Sequence, residues 1–90
     1  MASYKVYTIS FKQSVAKDLR VIPKQDVRRI LDRIDTLATN PRGEGCVKLS
    51  GQEHYRVRQG VYRIVYEIHD DRLLVIVVKI GHRSGVYEKR

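Results

Sequence analysis

The stretch His54–Tyr66, HYRVRQGVYRIVY, decides how this chain folds. Tyr55 and Val57 alternate with His54, Arg56 and Arg58. After Gln59-Gly60, Tyr62, Ile64 and Tyr66 alternate with Val61, Arg63 and Val65. A period of two sends successive side chains to opposite faces of a strand, so the stretch reads as a β-hairpin. A two-residue loop at Gln59-Gly60 pairs residue 56 with 63 and residue 58 with 61. A three-residue loop with Gly60 in the left-handed conformation shifts that register. In either case the apolar set shares one face, and Arg56, Arg58 and Arg63 gather on the other. Like charges facing each other across a sheet are destabilising, so the cluster needs a reason.

Working outward, the hairpin strands run Glu53–Arg58 and Val61–Ile68, and His69-Asp70-Asp71 turns into a third strand, Leu73–Ile80. That strand, LLVIVVKI, is apolar on both faces apart from Lys79, which places it inside the sheet. Upstream, YKVYTI (Tyr4–Ile9) has the β-branched and aromatic content of a first strand. Ser10 then stands as an N-cap before Phe11, Val15 and Leu19, which recur at helical spacing. Pro23 disfavours helix at Ile22 and opens a second helix. Its apolar stripe is Val27, Ile30, Leu31, Ile34, Leu37 and Ala38, and it stops near Thr39 before Asn40-Pro41-Arg42-Gly43. The segment Gly43–Gly51, GEGCVKLSG, is a loop and lacks the GK[ST] ending of a phosphate loop. The tail GHRSGVYEKR is too glycine-rich to read as a helix. The order β-α-α-β-β-β predicts an α+β fold, a two-helix hairpin on one face of a mainly antiparallel four-stranded sheet, in a single domain spanning 1–90.

Ninety residues support one compact core, burying about 60–65% of the unfolded surface. No apolar run approaches the roughly 20 residues that cross a bilayer, and the N-terminus has no apolar h-region. A cytoplasmic location with no membrane partner is expected. One cysteine, Cys46, cannot form an internal disulfide, and three scattered histidines give no metal-ligand spacing, so neither metal nor cofactor is expected. The net charge of +8 points to a polyanionic partner. Both halves carry an excess of four positive charges, since residues 1–53 hold ten Lys/Arg against six acids and residues 54–90 hold eight against four. Placement, not total charge, must therefore locate a site.

The uncovered sheet face is that place. Arginines on an exposed face are common, and Glu53 or Glu67 could pair with one of them for little energy. Arg83 and Tyr87 follow the last strand, however, with His82 beside them, and can curl over the same face. Four guanidiniums, a phenol and an imidazole near one surface make a phosphate site, because the planar guanidinium fork matches phosphate oxygens and keeps its charge.

Lys48 to Tyr87, KLSGQEHYRVRQGVYRIVYEIHDDRLLVIVVKIGHRSGVY, resembles the RelE-type toxins of bacterial and archaeal toxin–antitoxin pairs. The order and spacing of KLSG, YRVRQGVYRIVYEI, the acidic turn, the apolar strand, GHR and a terminal VY carry the likeness, which extends over nearly the whole chain. The resemblance implies an endoribonuclease that cleaves messenger RNA on the ribosome, and a cognate RelB-like antitoxin as partner. By position, it implies that Arg63 contacts the scissile phosphate, that Arg83 stabilises it and serves as an acid, and that Tyr87 stacks on a base and shares in proton transfer. Arg56 and Arg58 fall at RNA-binding positions; His54, on the same side of the first hairpin strand, and Lys48, in KLSG, are expected to bind RNA with them. The best-known members have lysines where this chain has Arg56 and Arg58, and an arginine is a poor base. The general base is thus unassigned among Tyr87, His54 and His82.

The implied reaction is attack by a ribose 2′-OH on its own 3′ phosphate, leaving a 2′,3′-cyclic phosphate and a 5′-OH. Two other readings are compatible with the architecture. One is a ParE-like toxin that poisons DNA gyrase by binding. The other is a basic RNA-binding module without catalysis.

Overall fold

In a computed structural model, which describes residues 6–49 and 54–82, the elements follow the expected order with one addition. They are β1 (Thr8–Phe11), α1 (Gln13–Arg20), α2 (Lys24–Thr36), β2 (Val47–Lys48), β3 (His54–Gln59), β4 (Tyr62–His69) and β5 (Leu74–His82), with a short 3-10 turn at Asp70–Arg72. The sheet order is β1-β5-β4-β3-β2. β1 lies parallel to β5 and the other pairs are antiparallel. The α+β class holds, but the sheet has five strands where four were expected. The added strand is the end of the 43–51 loop: Val47 pairs with Arg56 and Lys48 with Tyr55. Two residues carry no periodicity, so such a strand exists only because a long neighbour offers it an edge.

β1 also sits later than expected. Parallel pairing with β5 holds the chain extended through Phe11, opposite Val77, and the Lys12 amide donates to the Val77 carbonyl at 2.9 Å. Helix α1 therefore begins after Lys12, with no side-chain cap, and Ser10 is a strand residue. Tertiary pairing overrides a good local capping signal here.

The hairpin loop is Gly60-Val61, one residue later than Gln59-Gly60. Arg58 faces Arg63 and Gln59 faces Tyr62. Gly60 has φ of 62°, and a glycine at the first central position with positive φ is the arrangement that two-residue hairpins of the II′ kind require. The pairing differs from the simplest expectation by two positions, and a shift of two leaves every side chain on its expected face.

The core lies between the helices and one sheet face. Val57, Ile64, Tyr66, Ile68, Val75, Val77 and Ile80 meet Val15, Ile30, Ile34 and Leu37, all buried. The step from Val77 to Ile80 breaks the alternation, because β5 carries a bulge at Val78: Val65 faces Lys79 while Tyr66 faces Val77. α1 lies against β5, where Asp18 accepts a hydrogen bond from the Ile80 amide at 3.0 Å and pairs with Lys79 at 3.4 Å. α2 lies against β3 and β4.

Two polar ties fasten the loop after α2. The Tyr66 hydroxyl, in the core, donates to the Pro41 carbonyl at 2.6 Å, and the Tyr66 ring stacks on Tyr55 at 5.9 Å between centroids. Arg42 grips both carboxylate oxygens of Asp70, at 3.1 and 2.8 Å, while its Nε donates to the Tyr55 hydroxyl at 3.2 Å. Tyr7 donates to the same aspartate at 2.6 Å, which pushes its hydroxyl pKa upward. The tyrosines at 7, 55, 62 and 66 thus belong to the core or pack against it, and Tyr4 lies outside the described residues. Among the described residues, no helix is long and apolar enough to cross a membrane.

Candidate functional site

The face turned away from the helices is built in rows across the strands, because residues paired directly opposite project to the same side. One row runs Arg58, Arg63, Gly81. The next runs Val47, Arg56, Val65, Lys79, and the third His54, Glu67, Ile76, Ser10. Arg58 is exposed, and Arg56 and Arg63 are half-buried. The side chains of Arg56 and Arg58 make no hydrogen bond or ion pair among the described residues.

The acid that the described strands place on this face is held by histidines. Glu67 accepts from His69 Nε2 at 2.9 Å and meets His54 Nε2 at 3.3 Å. The His69 hydrogen bond, chiefly, holds the Glu67 carboxyl below the usual glutamate range; the charges of His54, His69 and Lys12 add to this, and burial opposes it. Glu67 is thus engaged by histidines, and no Glu67–arginine ion pair is found among the described residues.

The other expected site residues fall as follows. His54 lies on the arginine side, two residues from Arg56, with its Nε2 turned to Glu67. Lys48 pairs with Tyr55 and so leaves the sheet on the helix side, while Val47 takes the place beside Arg56. Lys48 is therefore set apart from the arginine rows. His82 ends β5 opposite Tyr62, with the two rings edge to face at 5.8 Å. Arg83, Tyr87 and Glu53 lie outside the described residues. Lys79, at the end of the Arg56 row, is drawn to Asp18.

One cation that the sequence did not single out arrives from α2. Arg33 joins Gly45, Val47, Arg56 and Arg58 around a cavity of about 330 Å³ at the outer edge of β3. In the sequence Arg33 is one of several charges on the polar side of a helix, and no spacing rule links it to a strand more than twenty positions away.

A sequence model of the family described as "ParE toxin of type II toxin-antitoxin system, parDE" matches residues 9–87. The chain belongs to the RelE/ParE family of type II toxins. It is 31% identical over 86 residues to the toxin RelE1 of Methanocaldococcus jannaschii, covering 91% of this chain and 96% of that protein. Among solved structures, a chain of the archaeal RelE-RelB complex from Pyrococcus horikoshii OT3 is similar with a TM-score of 0.78 at 28% identity, over 89% of this chain and 98% of that one. The isolated E. coli RelE toxin is similar with a TM-score of 0.74 at 26% identity, over 92% and 93% respectively. This RelE-type toxin therefore shares both sequence and architecture with its relatives over most of its length, and the arginine rows lie within the matched region.

Proposed function

We propose that this RelE-type toxin is an endoribonuclease that cuts messenger RNA held on the ribosome. The observation that carries the reading is the row Arg58–Arg63 beside Arg56, with Glu67 on the same face engaged by two histidines. A backbone phosphate lying among the guanidiniums turns a repulsive cluster into a binding site.

In the reaction, a 2′-OH loses its proton and its oxygen attacks the adjacent phosphorus. The P–O5′ bond breaks, the departing 5′-oxygen takes up a proton, and a 2′,3′-cyclic phosphate remains. The transition state carries extra negative charge on phosphorus-bound oxygens, and fixed cations aimed at that charge supply the largest single contribution. Arg63 contacts the scissile phosphate. Arg56 and Arg58 hold the flanking backbone, and the ribosome aligns the codon so that attack is in line. Arg83 and Tyr87 complete the site as phosphate stabiliser and base-stacking, proton-transferring group. Lys48 leaves the sheet on the opposite side.

The relative from Pyrococcus horikoshii was solved as a complex with RelB. A RelB-like antitoxin for this chain would cover the basic face with an acidic or amphipathic segment. A second reading has its own support, since the matching family model bears the ParE name. Primer extension on translating messenger RNA, run beside a gyrase supercoiling assay, separates the two. New RNA ends within codons, lost in Arg63→Ala, are the expected result. Retained toxicity with no new ends and inhibited supercoiling would move the assignment to gyrase.

A further inference from the structure

The cavity at the outer edge of β3 shares Arg56 and Arg58 with the open face and adds Arg33, which the reaction above does not use. Strand β2 pairs with β3 only at Tyr55 and Arg56, so nearer the hairpin loop the outer edge of β3 has no strand partner among the described residues. Arg33 reaches that opening from α2, where the neighbouring Ile34 is buried in the core and fixes the helix rotation. Its Nη2 donates to the Glu44 carbonyl at 3.1 Å, the one side-chain hydrogen bond Arg33 makes among the described residues. A guanidinium has five N–H donors, so most of this fork is left for a ligand.

Gly45 makes room for it. Its φ is 87°, and a Cβ added there would lie 3.1 Å from Arg33 Nη2. Both the backbone conformation and the space favour glycine at this position. The remaining walls are Val47, Arg56 and Arg58, so three guanidiniums surround about 330 Å³. No ion pair of Arg33, Arg56 or Arg58 with an acid is found among the described residues. Three cations held around one space, with no acid paired to them among the described residues, repel one another, and an incoming anion relieves that repulsion.

We propose that Arg33, Arg56 and Arg58 form a second phosphodiester subsite at the β3 edge, which carries a single RNA strand off the open face and toward α2. Arg58 is shared with the Arg58–Arg63 row, so the cations follow one another from β4 to β3 and then past the edge. Neighbouring strands lie about 4.8 Å apart. A line of cations crossing them suits an extended polyanion, whereas an isolated carboxylate would need only one fork. The subsite rests on the nuclease reading for its ligand, and Arg33 acts in it as a phosphate-binding residue away from the reacting atoms.

The test uses the full chain and a single-stranded 2′-O-methyl RNA, which cannot undergo 2′-OH attack. Affinity is measured by fluorescence anisotropy over a range of salt concentrations. Arg33→Gln keeps a donor for the Glu44 carbonyl while removing the charge, and Arg33→Ala removes both. Both variants should bind several-fold more weakly, with the slope of log affinity against log salt reduced by about 0.7, the value for one lost phosphate contact on a single strand. Arg29→Ala, exposed and paired with Asp26 outside this cavity, should leave the slope unchanged. A wild-type slope in Arg33→Gln overturns the subsite, as does weakened binding of an acidic antitoxin peptide with RNA binding intact. Because the RNA is uncuttable, failure to cleave on ribosomes would sink the nuclease reading and leave the slope measurement standing. Normal cleavage with an unchanged slope would sink the subsite alone.

Discussion

The two faces of this one sheet are built on opposite terms. On the helix side Val57, Ile64, Tyr66, Val75 and Val77 are fully buried, and the Tyr66 hydroxyl has found a carbonyl. On the other side Arg58 stands opposite Arg63, a pairing that lowers stability. The first face is what lets the second exist. A small domain has only about 5–15 kcal/mol of net stability, and a repulsive pair worth a fraction of a kcal/mol is tolerable when the other face is well packed. Apolar packing and positive charge are thus segregated by the alternation of a β-strand, one residue at a time along the same two strands.

That segregation can be broken from either side. Ile64→Ala, on the packed face, should cost about 2–5 kcal/mol of stability in urea denaturation, through lost burial and the cavity left behind. Its neighbour Arg63→Ala should lose about two to three orders of magnitude in cleavage of programmed ribosomes, the scale of losing one donor to a developing oxyanion, while circular dichroism shows the fold retained. If the two substitutions behaved alike in both assays, the division of labour would be refuted. Tyr66→Phe should cost about 1–3 kcal/mol by stranding the Pro41 carbonyl, with cleavage chemistry unaffected in the folded fraction.

Acid provides a finer probe of the open face. Glu67 has a lowered pKa in the fold, so it contributes stability that is complete above its ordinary value of 4.5 and is lost as the pH falls through the lowered value. Glu67→Gln should flatten that acid limb in denaturation curves taken between neutral pH and pH 3. The smallest expected effect has the opposite sign. Arg58→Thr should raise stability by about 0.2–1 kcal/mol at low salt by relieving the repulsion with Arg63, and should weaken RNA binding. A destabilised Arg58→Thr would mean that the cluster is structural after all.

Much of this was legible in the chain itself, and the reason is geometric. Tyr55, Val57, Tyr62, Ile64, Arg56, Arg58 and Arg63 were sorted to their faces by a period of two, and that sorting survived a hairpin loop placed one residue later than expected. Pairing slips of two positions never exchange the faces. The helix stripe of Ile30, Ile34 and Leu37 was equally readable, since 3.6-residue spacing is a local property. Residue order and spacing also carried the family resemblance.

Tertiary structure decided everything that depends on who meets whom across long stretches of chain. Lys48 looked like part of the basic face until its pairing with Tyr55 turned it to the helix side. Glu67 was a candidate partner for arginine and is instead held by His54 and His69. Arg42 and Asp70 lie 28 positions apart and meet through both carboxylate oxygens, and Arg33 comes to the edge of β3 only because α2 packs there. Alternation is set by the backbone of each strand alone, whereas such meetings depend on how loops close and helices settle on the sheet. No local pattern records those events.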